Sequence, residues 1–521
     1  ALSQAFRSRS GKTPHWKTAI NFGPDIIRRV LVPIALPDIW HSMRLAFGVG
    51  WSYLVLAEIV VKVGGLGDVA GSLPRALRAL SNDEVKLDVR LVLPRHPAVK
   101  AENLKSAGMF SIARGDSEVL VEVSETTLDG TPVYFIGGDP IRMNGSVYSL
   151  DPVLDGEKYA FFSFAAVEFP RRLRGDWQPD VVHVNDWHTA LSVYILLGKH
   201  WQDGAPRPAS VITVHNLPFM GPDCDSILQS YGMKLAQTDL PEWARVKPLP
   251  LGLWASDAIV AVSPTYGREI LTPQYGCGLE EFLLSRRDTV SGILNGLDTD
   301  SFNPASDAAL NSNFDVNSIE KRAANKDFLQ QRLGLPRIPE VPLFAVVSRM
   351  DVQKGVDLVF SALKMIKNIQ WHAVILGTGD PKLESAAAQL QEIFPDRLKV
   401  ETRYDAGLAR QIYAGSDLFL MPSRYEPCGL SQMIAMRYGC VPLARAAGGL
   451  NDTVIHGVTG FVFEKAHHMA LAAAIKSALK VFARREAWRE IQRAGMTQDF
   501  SWKNSAQKYL ELYQSLLQQK T

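Results

Sequence analysis

Two basic residues, Arg349 and Lys354, stand on either side of one short turn in the second half of the chain. Arg gives bidentate hydrogen bonds to phosphate oxygens and Lys gives a compact charge, so the two can face one anion. A surface pair is the plainer alternative, but at the ligand edge of a sheet this arrangement suits a phosphate clamp. A second cluster is Ser423-Arg424-Tyr425-Glu426-Pro427-Cys428-Gly429-Leu430-Ser431-Gln432, followed by the helical run MIAMRY. The pattern places Glu426 just before that helix, whose first-turn N–H groups lack intrahelical partners. A carboxylate beside such donors suits a sugar attached to a diphosphate. A glutamate that merely caps the helix leaves the crowding of Pro427, Cys428 and Gly429 unexplained.

Three motifs in the first half carry weaker signals. Lys62-Val63-Gly64-Gly65-Leu66-Gly67-Asp68 lies between a strand-like run and a helical one. Its glycines allow close approach of backbone N–H groups to a phosphate at a helix N-terminus, or they make an ordinary strand–helix turn. In HVNDWH (183–188), Asp186 ends a strand and is either a ligand for sugar hydroxyls or a helix cap. The His183/His188 spacing matches no zinc pattern. His215-Asn216 ends another strand and either points into a cleft or is a satisfied histidine under a loop.

The elements that would position these residues follow a regular alternation. Apolar runs at 87–95, 180–186, 210–216, 257–263, 342–349, 372–380, 417–424 and 441–449 end in polar or glycine residues. Such runs belong to parallel strands buried on both faces. Val356, Val359, Phe360, Leu363 and Ile366 recur at helical spacing, as do Ala506, Tyr509, Leu510, Tyr513 and Leu517. The fold class is therefore α/β, with two doubly wound Rossmann-like domains facing a cleft and ligands at the strand C-termini. The expected boundaries are 1–57 for an N-terminal extension, 58–297 and 298–500 for the two domains, and 501–521 for a C-terminal helix returning to the first.

Composition narrows the function. The 521 residues carry 56 Lys+Arg against 54 Asp+Glu, a net charge of +2. That balance lacks the basic excess of a nucleic-acid binder. Four cysteines, Cys224, Cys277, Cys428 and Cys440, are too sparse for a disulfide scaffold and imply a reducing compartment. The run from Leu45 to Val61 includes Glu58 and is too short for a membrane span, so a membrane role is not expected. Residues 1–20 contain no acid, as in a transit peptide. Residues 20–60 resemble instead a fragment of an ABC-transporter permease, through VLVPIALPDI…RLAFGVGW; a poorly packed extension is the alternative.

From Lys62 to the C-terminus the chain resembles the glycogen synthases of bacteria and the starch synthases of plants, retaining glucosyltransferases of the GT-B fold. The resemblance rests on KVGGLGDVAGSLP, DVVHVNDWH, TVHNL, AVSPTYGREILTPQYGCGLE, GILNGLDTD, VSRMDVQKG, PSRYEPCGLSQMIAMRYG and GGLNDTV. It implies glucose transfer from ADP-glucose to the non-reducing end of an α-1,4-glucan, without a cofactor or metal, in the cytoplasm or a plastid. Lys62, Gly64 and Gly65 would then touch donor phosphate, and Asp68 would lie near the acceptor. His215, Asp186, Asn295, Arg349, Lys354 and Glu426 would be the active-site set. Tyr404 would stack on the base, and Cys428, Gly429, Leu430 and Ser431 would contact the donor glucose.

Asp298-Thr299-Asp300 looks like the metal-binding D-x-D of a different glycosyltransferase fold, but its turn-rich setting reads as turn residues. The chain departs from the family at Ala57-Glu58-Ile59-Val60-Val61, which lacks the usual proline, and at HNLPFMG, where Phe219 and Met220 replace polar residues. Alternatives are a related nucleotide-sugar transferase, a glucan-binding protein without turnover, and a membrane-associated transport component.

Overall fold

The computed structural model describes residues 65–519, apart from 83–85, 98, 100, 102, 144–146, 148, 150, 174–178 and 199–206. The permease-like segment, Lys62 and Gly64 lie outside the described residues. Helix α1 (Gly65–Ala79) opens the described chain, so Gly65, Gly67 and Asp68 form its first turn rather than a loop ahead of it.

Three sheets follow. The first holds β1 (Leu91–Pro94), β2 (Lys105–Arg114), β3 (Ser117–Leu128) and β4 (Thr131–Gly137) in the order β1-β4-β3-β2. Only β1 and β4 are parallel; β2, β3 and β4 form an antiparallel meander. This departs from the purely parallel reading. The meander strands alternate Ser, Glu and Thr with apolar residues, which is what a sheet with one solvated face requires. After α2 (Pro152–Leu173) comes the second sheet, of β5 (Val181–Asn185), β6 (Ala209–Val214), β7 (Ala258–Ala261) and β8 (Val290–Gly292). It is parallel throughout and runs in sequence order, with α3 (Asp186–Gly198) after β5 and α4 (Pro264–Glu269) after β7.

The third sheet contains β9 (Leu343–Val347), β10 (His372–Leu376), β11 (Leu398–Glu401), β12 (Leu418–Met421), β13 (Val441–Arg445) and β14 (Phe461–Phe463). Its order, β11-β10-β9-β12-β13-β14, is parallel throughout and reverses direction between β9 and β12. That reversal is the topological switch point at which open α/β sheets bind ligands. Helices α5 (Val356–Met365), α6 (Ser431–Arg437) and α7 (Gly448–Thr453) follow β9, β12 and β13. Phe344, Val346, Val359, Leu363, Ile375 and Leu443 are among the residues of the core beneath this sheet.

The last helix, α8 (Trp502–Gln518), leaves the third sheet behind. Trp502, Ala506, Tyr509 and Leu510 pack with Val69, Leu73 and Leu77 of α1 and with Val211 of β6. The two chain segments that pass between the lobes run side by side: Leu297 N donates to Phe500 O at 2.6 Å, and Ser505 Oγ to Leu294 O at 2.6 Å. Gly296 is required there, because a Cβ would lie 2.5 Å from the Trp502 Cα.

Candidate active site

Lys354 and Glu426 meet at the switch point. The turn after β9 carries Arg349 and Lys354, and the turn after β12 carries Glu426. Gly355 brings the two turns together. It sits at φ +68°, and a Cβ there would lie 2.4 Å from Pro422 O, so only glycine fits without strain. Lys354 Nζ donates to both carboxylate oxygens of Glu426, at 2.8 and 2.7 Å, and Ser423 Oγ donates to Oε2 at 2.9 Å. Glu426 is buried, whereas the Lys354 side chain remains one-fifth exposed. Arg349 is more open and pairs with Asp351 at 3.1 Å.

Glu426 does not stand directly before a helix, as the sequence pattern suggests. Helix α6 starts at Ser431, and the intervening Gly429 takes φ +73° to make the turn. Backbone contacts hold the Glu426 segment instead. Gly449 N donates to Glu426 O at 3.1 Å, and a Cβ on Gly448 would lie 2.0 Å from that same oxygen. Gln432 Nε2 donates to Gly429 O at 2.8 Å and to Thr453 Oγ1 at 3.1 Å. The Cys428 thiol is buried against the backbone of Asn295, and burial pushes its pKa up to about 12. Asn295 is itself buried, with its side-chain oxygen unpartnered among the described residues. Leu430 is partly buried in the same turn, and Ser431 opens α6. Tyr404 follows β11 at the C-terminal edge of this sheet and is 46% exposed.

The facing rim is built at the ends of β5 and β6. Asp186 takes φ +53°, a conformation rare outside glycine that clusters at functional sites. Its Oδ1 accepts from His215 N at 2.7 Å and Asn216 N at 3.4 Å, so the carboxylate fixes the turn after β6 rather than capping α3. Burial raises its pKa to about 7, against the pull of those two N–H groups. His215 Nε2 lies 2.9 Å from Asn185 Oδ1. An amide oxygen only accepts, so with the amide oriented this way the imidazole carries its proton on Nε2. Burial holds the ring neutral, with a pKa lowered to about 3, which leaves Nδ1 as an acceptor. His183, half-buried, is held between Tyr513 OH (2.7 Å) and Thr213 Oγ1 (2.6 Å). The described residues hold no group of three or more His, Cys, Asp or Glu suited to a metal. Asp298 turns its oxygens onto Asp300 N, Ser301 N and Ser301 Oγ, as an ordinary turn residue does.

Tyr266 joins the rims. Its hydroxyl accepts from Leu217 N, two residues after His215, at 2.9 Å, and is bonded by the hydroxyl of Tyr425, next to Glu426. Tyr275 stacks on Tyr425 at 5.9 Å. Asn185 and Ser423 lie inside motifs that the sequence singles out, but neither they nor Tyr266 carried a role there. Tyr266 lies inside AVSPTYGRE, which contributed only to the family resemblance, and nothing in its spacing announces a partner on another lobe.

Two lobes whose strand ends converge through one phenol, the second lobe with the order of a dinucleotide-binding sheet, define a GT-B glycosyltransferase. A sucrose-phosphate synthase from Thermosynechococcus elongatus shares this fold at a TM-score of 0.54 and 20% identity, over 88% of this chain and 94% of that one. Residues 54–285 match the starch synthase catalytic domain and 329–494 match the glycosyl transferases of group 1. The glycogen synthase of Streptococcus sanguinis (strain SK36) is 39% identical over 476 residues, spanning 88% of this chain and 97% of its own. That of Streptococcus gordonii gives the same identity and coverage. The catalytic domain of starch synthase IV from Arabidopsis thaliana, bound to ADP and acarbose, superposes with a TM-score of 0.79 at 31% identity, covering 88% of this chain and 97% of that one. The chain belongs to the glycogen and starch synthase family. The match to the catalytic domain starts before Lys62, so the family likeness includes the segment where the sequence departs from the usual pattern. No helix among the described residues is long and apolar enough to cross a membrane.

Proposed function

We propose that the protein transfers glucose from ADP-glucose to the non-reducing 4-hydroxyl of an α-1,4-glucan, with retention at the anomeric carbon. The observation that carries this reading is the convergence of the His215 and Glu426 turns on Tyr266, with the Lys354–Glu426 pair at the switch point. The relative solved with ADP and acarbose supports an adenine nucleotide as donor and a glucan as acceptor. In this reading residues 58–297 form the acceptor domain and 298–500 the donor domain. Lys62, Gly64 and Gly65 approach the donor phosphate, Asp68 lies near the acceptor, and Tyr404 stacks on the base.

Breaking the sugar–phosphate bond builds negative charge on the leaving diphosphate. Arg349 and Lys354 stabilise it, and such preorganised electrostatics is usually the largest catalytic contribution. Glu426 positions the sugar, and the neutral His215 offers Nδ1 to a sugar hydroxyl. Glu426 is committed to Lys354 and Ser423, which makes it a poor nucleophile for a double displacement of the glycosidase type. Retention then comes from front-side attack, in which the departing phosphate takes the acceptor's proton. Labelled glucose supplied as ADP-glucose or UDP-glucose, with glycogen as acceptor, tests the donor. Incorporation is expected mainly from ADP-glucose, and equal or greater incorporation from UDP-glucose would overturn that assignment.

A further inference from the structure

The first lobe also grips the Glu426 segment at its backbone. Ser263 Oγ donates to Pro427 O at 2.6 Å. Glu269 Oε1 accepts from Gly448 N at 3.0 Å, and the adjoining Gly449 N holds Glu426 O. Thr265 N and Oγ1 donate to the two oxygens of Asp452 at 2.8 and 2.7 Å, tying α4 to α7 across the same boundary. The carbonyls of two successive residues, Glu426 and Pro427, are thus anchored by α4 and its N-terminal turn, Pro427 directly and Glu426 through the Gly448-Gly449 turn. Glu269 Oε2 is buried without a partner, and burying an unpaired carboxylate oxygen is costly.

We infer that Glu269, assisted by Ser263, is a positioning residue for glucosyl transfer, aligning Glu426 from the opposite lobe. The inference rests on the proposed transferase reading. These cross-boundary bonds add to the grip that Lys354, Ser423 and Gly449 give Glu426 within its own lobe, so the first lobe sets where the Glu426 segment stands.

The test compares full-length wild type, Glu269→Ala and Glu269→Gln by glucose transfer, ADP calorimetry and thermal melting. Glu269→Ala is expected to lower kcat by about 10- to 100-fold, with the Kd for ADP unchanged and only a modest fall in melting temperature from the lost acceptor of Gly448 N. Glu269→Gln keeps a carbonyl acceptor for the Gly448 N–H and is expected to restore most of the rate. Wild-type kcat in Glu269→Ala, or an equal loss in Glu269→Gln, would overturn the inference. Should Glu269→Ala fail to fold, Ser263→Ala read against Ser263→Thr takes its place under the same criteria. An inactive wild type would overturn the transferase reading, and the inference with it.

Discussion

Glu426 and Lys354 each supply the countercharge that the other needs in a largely dry site. With Glu426 buried and Lys354 one-fifth exposed, removing either leaves a charge with less water than it requires. Glu426→Ala and Lys354→Ala should each lower transfer by about 100- to 1,000-fold. Each should also destabilise, with a coupling of about 1–3 kcal/mol in a double-mutant cycle. Steady-state kinetics and urea denaturation measure the two effects. A rate near wild type in either variant would remove that residue from the mechanism. The types and spacing of these side chains were legible in the sequence. Their mutual pairing was not, because 72 residues separate them and only the strand order brings them together. The same holds for Asp186, whose contacts with the His215 turn span the neighbouring strand and give an apparent helix cap a different task.

Among the elements, glycine turns and the returning helix give the sharpest expectations. Gly448 at φ +44° lies so close to Glu426 O that any side chain must displace the Glu426 segment. Gly448→Ala should therefore cost about tenfold or more in kcat while ADP still binds, as kinetics and calorimetry would show; unchanged kcat would contradict the close contact. Helix α8 is held by a polar contact inside its apolar face, where Tyr513 OH meets His183 Nδ1. Tyr513→Phe leaves the part-buried His183 Nδ1 without that partner and should cost about 1 kcal/mol, measured by urea denaturation.

The parallel strands β5, β6, β7, β9, β10, β12 and β13 were readable as continuous apolar runs. Both α5 and α8 were readable from helical spacing. The β2–β4 meander escaped because its half-exposed strands carry polar residues at every other position, and β8, β11 and β14 because each spans only three or four residues.

Taken together, the buried titratable groups make the fold sensitive to acid. Burial lowers the pKa of His96, His188 and His215 to about 3 and that of His183 to about 4, from 6.5. Each folded pKa lies below the unfolded one, so each contribution is complete above pH 6.5 and is lost as pH falls toward the folded value. Asp186 acts oppositely: with its pKa raised from 3.8 to about 7, its contribution is lost as pH rises through that window. Burial also lowers the pKa of His372 to about 4 and raises those of Asp155 and Glu269; each group changes stability by at most about 1.4 kcal/mol per pH unit, so five histidines outweigh three carboxyl groups. Urea midpoints should fall between pH 6.5 and pH 5, and a flat profile would contradict the burial of these rings.

The central claim is that two rims converge on one sugar nucleotide and move its glucose with retention. Its most direct measurement is nuclear magnetic resonance of the reaction between ADP-glucose labelled at the anomeric carbon and a maltooligosaccharide. ADP should be released and an α-1,4-linked, labelled unit should grow at the non-reducing end. A β-linked product, or ADP-glucose that stays intact beside the acceptor, would contradict it.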